Sequence, residues 1–287
     1  MTDNNLSQFN TNRQPTWCPG CGNWGILAAI KSALVGLNLK PEEVVIVYGI
    51  GCSGNTANWI RTYSFHSLHG RVLPVALGIK LANYKLKVLA ISGDGDAYAE
   101  GGNHLIQTAR TNIDLTYLVF NNHNFSLTTG QASPTSDQGY VSKTTPFGEP
   151  NLPLNPLALA LDSHASFLAR GFAGDISHLT ELIKSAIIHP GFALVDIFQE
   201  CVTFNKINTN RWYQERIYKL QETKHDVSDR QAAWLKIQEE EKLPIGIFYQ
   251  KQRPTFEDKL NLNEQIPLVE QTLDQKITVE KLINEFK

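Results

Sequence analysis

"KVLAISGDGDAYAEGGNH", residues 87–104, decides how the rest of the chain is read. Residues 87–93 form an apolar run of the length expected for a buried strand. The run ends in Gly93-Asp94-Gly95-Asp96, and helical spacing follows over 101–112. Strand, glycine-rich turn and helix, in that order, are the unit from which parallel sheets are built. Gly93 and Gly95 let backbone amides approach an anion closely, and a helix start behind them adds a favourable dipole. Asp94 offers a hard oxygen of the kind Mg²⁺ takes, along with phosphate oxygens and water. On its own, "GDG" is more often only a turn.

The same alternation runs through the neighbouring sequence. "VVIVYGIG" (44–51), "LTYLVFN" (115–121) and "FALVDIFQ" (192–199) have the composition of buried strands. Between them lie segments with helical spacing. In 23–37, Leu27, Ile30, Leu34 and Leu37 recur every three or four positions, and 74–86 reads similarly. Asn155-Pro156 supplies a cap and first residue for a helix over 156–166. Asp175 caps a helix over 176–188 that stops at His189-Pro190-Gly191. Near-continuous apolar strands alternating with helices predict an α/β fold, a mostly parallel sheet with helices on both faces.

Ligands of such sheets bind beyond the carboxyl ends of the strands. The other three strands run there into Gly51-Cys52-Ser53-Gly54, Asn121-Asn122 and Glu200-Cys201. Residues 121–154 have no regular period, and a loop this long in a compact domain is usually functional or disordered. The expected organisation is a binding domain over 1–205 and an irregular, charged C-terminal arm over 206–287. That arm contains Trp212, Tyr213, Trp234, Phe248 and Tyr249. It reads as patchy helix packed on the domain or on a partner subunit, and 255–287 reads equally well as a solvated tail.

Bulk composition narrows the function. The 287 residues are 42% hydrophobic and 19% charged, ordinary for a globular protein with a sizeable core. A net charge of −2 argues against nucleic-acid binding through a basic field. No apolar run is long enough to cross a bilayer. The opening "MTDNNLSQFNTNRQP" lacks a signal-peptide core, so a cytoplasmic location is expected. Cysteines there stay reduced and serve more often as metal or redox groups than as structural disulfides.

The four cysteines are Cys18 and Cys21 in "TWCPGCGNWG", Cys52 and Cys201. The last two each follow a predicted strand, so all four thiols can meet at one sheet edge. Four thiolates suit a tetrahedral zinc or an iron–sulfur cluster, and spacing alone leaves both open. Individually, Cys52 and Cys201 also read as small buried hydrophobes. A helix starting near Asn23 would aim its positive end at the site.

"GDG" followed at the next strand end by "NN" resembles the pattern of thiamine diphosphate enzymes. That resemblance implies Mg²⁺ held by Asp94, Asn122 and the backbone carbonyl of Asn124. More specifically, "WCPGCGN", "GIGCSG", "LHGRVLPVALGIKLAN", "SGDGDAYAEGGNH", "NNHNFSLTTGQASPT" and "ECVTFN" resemble the β subunits of 2-oxoacid:ferredoxin oxidoreductases over about residues 15–205. The resemblance implies a thiamine diphosphate-binding fold and one [4Fe–4S] cluster on Cys18, Cys21, Cys52 and Cys201. It places the cofactor against Ile50, Gly51, Cys52 and Ser53, and against His69, Gly70 and Arg71. Gly93, Gly95, Asp96, Ser126 and Leu127 complete the implied contacts.

The implied reaction is CoA-dependent oxidative decarboxylation of a 2-oxo acid to an acyl-CoA and CO₂. Electrons would pass through the cluster to ferredoxin. 2-Oxoglutarate is favoured over pyruvate, and a broad range is an alternative. Relatives often carry Gly or Lys where this chain has Thr129, so substrate preference is not carried over.

No glutamate for the cofactor's pyrimidine N1′ is nominated. Glu100 and Glu149 are present without support, so an α subunit is expected to supply it. A rival reading is a non-redox decarboxylase or carboligase with a structural Cys₄ zinc. A second is a non-catalytic Cys₄ module in which "GDGD" and "NN" are only turns.

Overall fold

The computed structural model describes residues 5–271 and 283–286. Among these, eight strands form one sheet: β1 (Val44–Tyr48), β2 (Tyr63–His66), β3 (Lys87–Gly93), β4 (Leu115–Asn121), β5 (Phe167–Phe172), β6 (Phe192–Phe198), β7 (Ile217–Lys219) and β8 (Leu243–Gln250). The helices are α1 (Asn23–Gly36), α2 (Val72–Ala82), α3 (Gly102–Thr111), α4 (Pro156–Asp162), α5 (Ile176–Ile188), α6 (Asn210–Gln214), α7 (Arg230–Ile237) and α8 (Phe256–Lys259). The strand order is β2-β1-β3-β4-β6-β5-β8-β7. All pairings are parallel except that of β5 with β8.

Period-two alternation explains why the central strands are apolar throughout. Ile46, Tyr48, Leu118 and Phe120 face one core, built with Ile26, Ile30 and Leu34 of α1 and Leu179 and Ile183 of α5. Val47, Tyr117 and Val119 face the other, built with α2, α3, α4 and α7. Every residue of β1, β4 and β6 is buried. The sheet can therefore offer chemistry only at its ends, and the carboxyl ends of β1, β3, β4 and β6 lie side by side.

The expected parallel sheet with helices on both faces is present, and so are both expected caps. The Asn155 side chain accepts from the Ala158 amide and that of Asp175 from the His178 amide. The helix expected over 156–166 ends earlier, at Asp162. His164 turns into the left-handed region (φ 65°) and the chain re-enters the sheet as β5. Beyond residue 205 the short helices are accompanied by two strands. Pro244 and Gly246 (φ +124°) interrupt the apolar pattern of β8, and its pairing with β5 shifts register between Leu168 and Ala169. Residues 272–282, within the stretch also read as a solvated tail, lie outside the described residues.

Asp175 does two jobs at the start of α5, since its other oxygen meets Lys219 Nζ at 2.7 Å. Asp175→Ala should cost about 1 kcal/mol, the usual worth of a helix cap. Asp175→Asn keeps an accepting oxygen and should cost less. Chemical denaturation measures both, and equal losses would assign the effect to the Lys219 pair instead.

Candidate active site

One cleft opens at the shared carboxyl edge. Its wall is made by the exits of β1 (Ile50 to Ser53) and β3 (Gly93 to Asp96), by Asn122 and Asn124 after β4, and by Ser126 and Leu127. His69 and Gln199 close it.

Asp96 holds these exits together. Its carboxylate accepts from the Gly70 amide at 2.7 Å and from Ser92 Oγ at 2.7 Å. His69 Nδ1 lies 3.0 Å from the same group and 3.2 Å from Glu100. Gly49 must lack a side chain, because a Cβ there would sit 1.9 Å from Asp96 Oδ2. At Gly95 a Cβ would strike the Phe125 ring at 2.3 Å. Asp96, expected as a cofactor contact, therefore spends both oxygens on the protein while still lining the cleft.

Asp94 is 1% exposed. Ser133 Oγ donates to its Oδ2 at 2.5 Å and Thr135 Oγ1 donates to the same atom at 2.8 Å. Burial pushes its carboxyl up from the ordinary range, while the Ser133 hydroxyl, His123 and the Thr135 hydroxyl pull it back. A divalent cation would offset that burial cost directly. Asn122 donates through Nδ2 to Ser126 Oγ at 2.7 Å, and its Oδ1 accepts from the Asn124 amide at 3.2 Å. Asn121 turns the other way, donating to Asp196, while its Oδ1 lies 2.9 Å from Thr135 Oγ1 and shares that single hydroxyl proton with Asp94. Ser53 Oγ and Asn124 Oδ1 are buried without a hydrogen-bond partner. Orphaned polar atoms on a cleft wall fit a polar ligand seated there. Gly70 supplies its amide to Asp96 and does not line the cleft. Arg71 also lies outside it, with its guanidinium 2.6 Å from His104 Nε2.

The four cysteines gather at one end of this cleft. Cys18 and Cys21 form a turn before α1, closed by the Cys21 amide donating to the Cys18 carbonyl at 3.1 Å. The Gly22 amide reaches the Glu200 carbonyl beside Cys201 at 3.5 Å. Burial pushes the Cys21 thiol up to about 12, the Asn23 amide lowers it, and the charges of Cys201, Cys52 and Cys18 raise it further. Burial likewise raises Cys52, with the Ser126 hydroxyl opposing and Cys201 and Cys18 adding. The thiols thus sense one another, and all four are unpaired. Among the described residues, no three or more His, Cys, Asp or Glu side chains close around a single metal ion. A soft, all-sulfur donor set of this kind suits an iron–sulfur cluster or a tetrahedral zinc.

Several residues at the site were not singled out from the sequence. Trp17 Nε1 donates to the Cys52 carbonyl at 2.8 Å and Trp24 Nε1 to the Cys18 carbonyl at 3.2 Å. Trp17 packs edge-on against Trp59 at 4.3 Å between ring centroids. The WC and CGNW neighbourhood was the available signal. Ser133 and Thr135 lie in a loop whose sequence carries no period, so nothing in their spacing pointed to Asp94.

Residues 49–197, from the end of β1 through β6, match the family model "Thiamine pyrophosphate enzyme, C-terminal TPP binding domain". This defines the class: the cleft walls belong to a thiamine diphosphate-binding domain. Residues 201–264 match a second family model, that of the C-terminal part of the pyruvate ferredoxin oxidoreductase β chain. The 2-oxoacid:ferredoxin oxidoreductase subunit beta of Saccharolobus solfataricus is 45% identical over 85% of each chain. The 2-oxoglutarate synthase subunit KorB of Methanothermobacter marburgensis is 36% identical over 89% of this chain and 90% of its own. A solved 2-oxoglutarate:ferredoxin oxidoreductase from Magnetococcus marinus, with 2-oxoglutarate, coenzyme A and succinyl-CoA bound, superposes with a TM-score of 0.91. It is 37% identical, and the match covers 100% of this chain and 97% of that one. The chain belongs to the β-subunit family of 2-oxoacid:ferredoxin oxidoreductases. Among the described residues no helix is long and apolar enough to cross a membrane.

The thiols give a test in the metal-free chain. A group whose value is raised to about 12 stays protonated, and so unreactive, across the neutral range. At pH 8 iodoacetamide should label exposed Cys18 well before Cys21, and Cys21 labelling should rise only as pH approaches 12. Equal labelling rates by peptide mapping would contradict the burial described here.

Proposed function

We propose that this chain is the cofactor-bearing β subunit of an enzyme that oxidatively decarboxylates a 2-oxo acid to an acyl-CoA and CO₂. The two electrons leave one at a time for ferredoxin. One observation carries the reading: Cys52 both lines the Asp94–Asn122 cleft and belongs to the four-thiol set. A diphosphate site and an electron-accepting site thus share a wall. Names among the relatives, and the ligands in the Magnetococcus marinus structure, favour 2-oxoglutarate and CoA as substrates. The cytoplasm, where four thiols stay reduced, is the compartment proposed.

Asp94, Asn122 and the Asn124 carbonyl would hold Mg²⁺, and Cys18, Cys21, Cys52 and Cys201 would hold one [4Fe–4S] cluster. When bound, thiamine diphosphate supplies an electron sink for decarboxylation and the cluster a one-electron acceptor. The protein's part is placement. Ser133 and Thr135 fix the Asp94 carboxylate, Asp96 fixes the His69–Gly70 turn, Gly93 keeps the wall beside Ser53 open, and Gly95 makes room for the Phe125 ring. Arg71 stands outside the cleft, with its guanidinium on His104. Residues 1–205 carry this chemistry, and β7 and β8 extend the sheet beyond them.

Glu100 faces His69, and Glu149 accepts from Asn151 away from the cleft. Neither lines the cleft, which supports an α subunit as the source of that carboxylate and a single chain that is inactive. Oxidative decarboxylation by the purified chain alone would overturn this.

Metal analysis tests the electron path. About four irons with acid-labile sulfide support it, and one zinc in a colourless protein favours a non-redox decarboxylase. Calorimetry tests the diphosphate site. Asp94→Ala should abolish Mg²⁺-dependent thiamine diphosphate binding. Thr135→Val, which removes one of two hydroxyls from Asp94, should weaken it by about 10–100-fold, as outer-shell changes usually do. Unchanged affinity in both would reject the assignment.

A further inference from the structure

We propose that the Thr203 hydroxyl raises the reduction potential of the electron-accepting cluster by donating a hydrogen bond to Cys18 Sγ. Thr203 would be a positioning residue, neither a ligand nor a catalytic group. The inference rests on the cluster reading above and goes beyond it.

Thr203 Oγ1 lies 3.1 Å from Cys18 Sγ, although the two residues are 185 positions apart. Both ends of this contact are fixed independently. The Cys18 carbonyl accepts from the Cys21 amide and from the Trp24 indole. Thr203 lies in the turn that follows Cys201, closed by the Asn205 amide donating to the Cys201 carbonyl at 3.1 Å. Buried Asn205 is in turn anchored through Nδ2 to the Asn122 carbonyl at 3.2 Å. The hydroxyl is therefore held on the sulfur by the two segments that also supply the ligands Cys18 and Cys201.

A thiolate accepts a hydrogen bond better than a thiol does, and better still as negative charge accumulates on it. Reduction of a cluster adds that charge, so a donor on a ligand sulfur favours the reduced form. Cys18 is the exposed member of the set and Cys201 the buried one. The donor thus acts at the solvent-facing corner. Unlike Ser126, Thr203 does not line the cofactor cleft, so its substitution leaves the diphosphate site intact.

The test uses the complete αβ complex with its cluster. Thr203→Val replaces the hydroxyl with a methyl of similar size. Thr203→Ala serves where the valine variant cannot be loaded, and Thr203→Ser keeps the donor. An EPR-monitored redox titration should find the midpoint of the Val or Ala variant at a more negative potential, with Ser returning close to wild type. An unchanged or higher midpoint with full iron and sulfide overturns the role of Thr203. So does a Ser variant that follows Val. Wild-type complex without iron and sulfide would instead defeat the cluster reading itself.

Discussion

The carboxylate of Asp96 is the interaction on which the cleft depends. One buried side chain receives hydrogen bonds from a strand residue, Ser92, and from a loop amide, Gly70, and sits against His69. The β1 exit passes over it with no room for a Cβ at Gly49. Three separate segments are thereby set to one another by a single charged group. A buried carboxylate is costly unless its oxygens are satisfied. Here the satisfaction and the shaping of the site are the same set of bonds.

Beneath the cleft lies a second polar layer. Asp196, in the middle of β6, accepts from Tyr98 Oη at 2.8 Å and from Asn121, and faces Arg170 of β5 at 3.5 Å. Arg170 also lies over the Phe198 ring at 4.7 Å. Burial lowers the Arg170 value and the Asp196 charge raises it back. Burial also pushes the Tyr98 hydroxyl well up, with the neighbouring Asp196 charge adding to it. Such a pair contributes little net stability but fixes geometry. Here it fixes Asn121, and with it the backbone that presents Asn122.

What could be read from the sequence follows from these physics. The strands at the centre of the sheet were legible because burial on both faces makes them apolar without interruption. β5 was not, because Arg170 and Gly171 break its composition and the charge is answered by Asp196, on a different strand. β8 was hidden by Pro244 and Gly246 in the same way. Asp94 and Asn122 were legible because strand ends fix their spacing. The two aspartates of "GDGD" look alike in sequence, however, and only the fold shows that Asp96 is spent on the protein. Ser133 and Thr135 reach Asp94 from a loop without period, so no local signal could name them.

The four thiols are contributed by the N-terminal turn, by the exit of β1 and by the exit of β6. They share a neighbourhood only after β6 has docked between β4 and β5. Emerging from a ribosome, the chain shows its first three cysteines long before the fourth. The site is therefore complete only when the parallel core of the sheet is complete. Assembly of the thiol set reports on the folding of the domain, and a chain arrested before Cys201 would expose three reactive sulfurs with nowhere to converge.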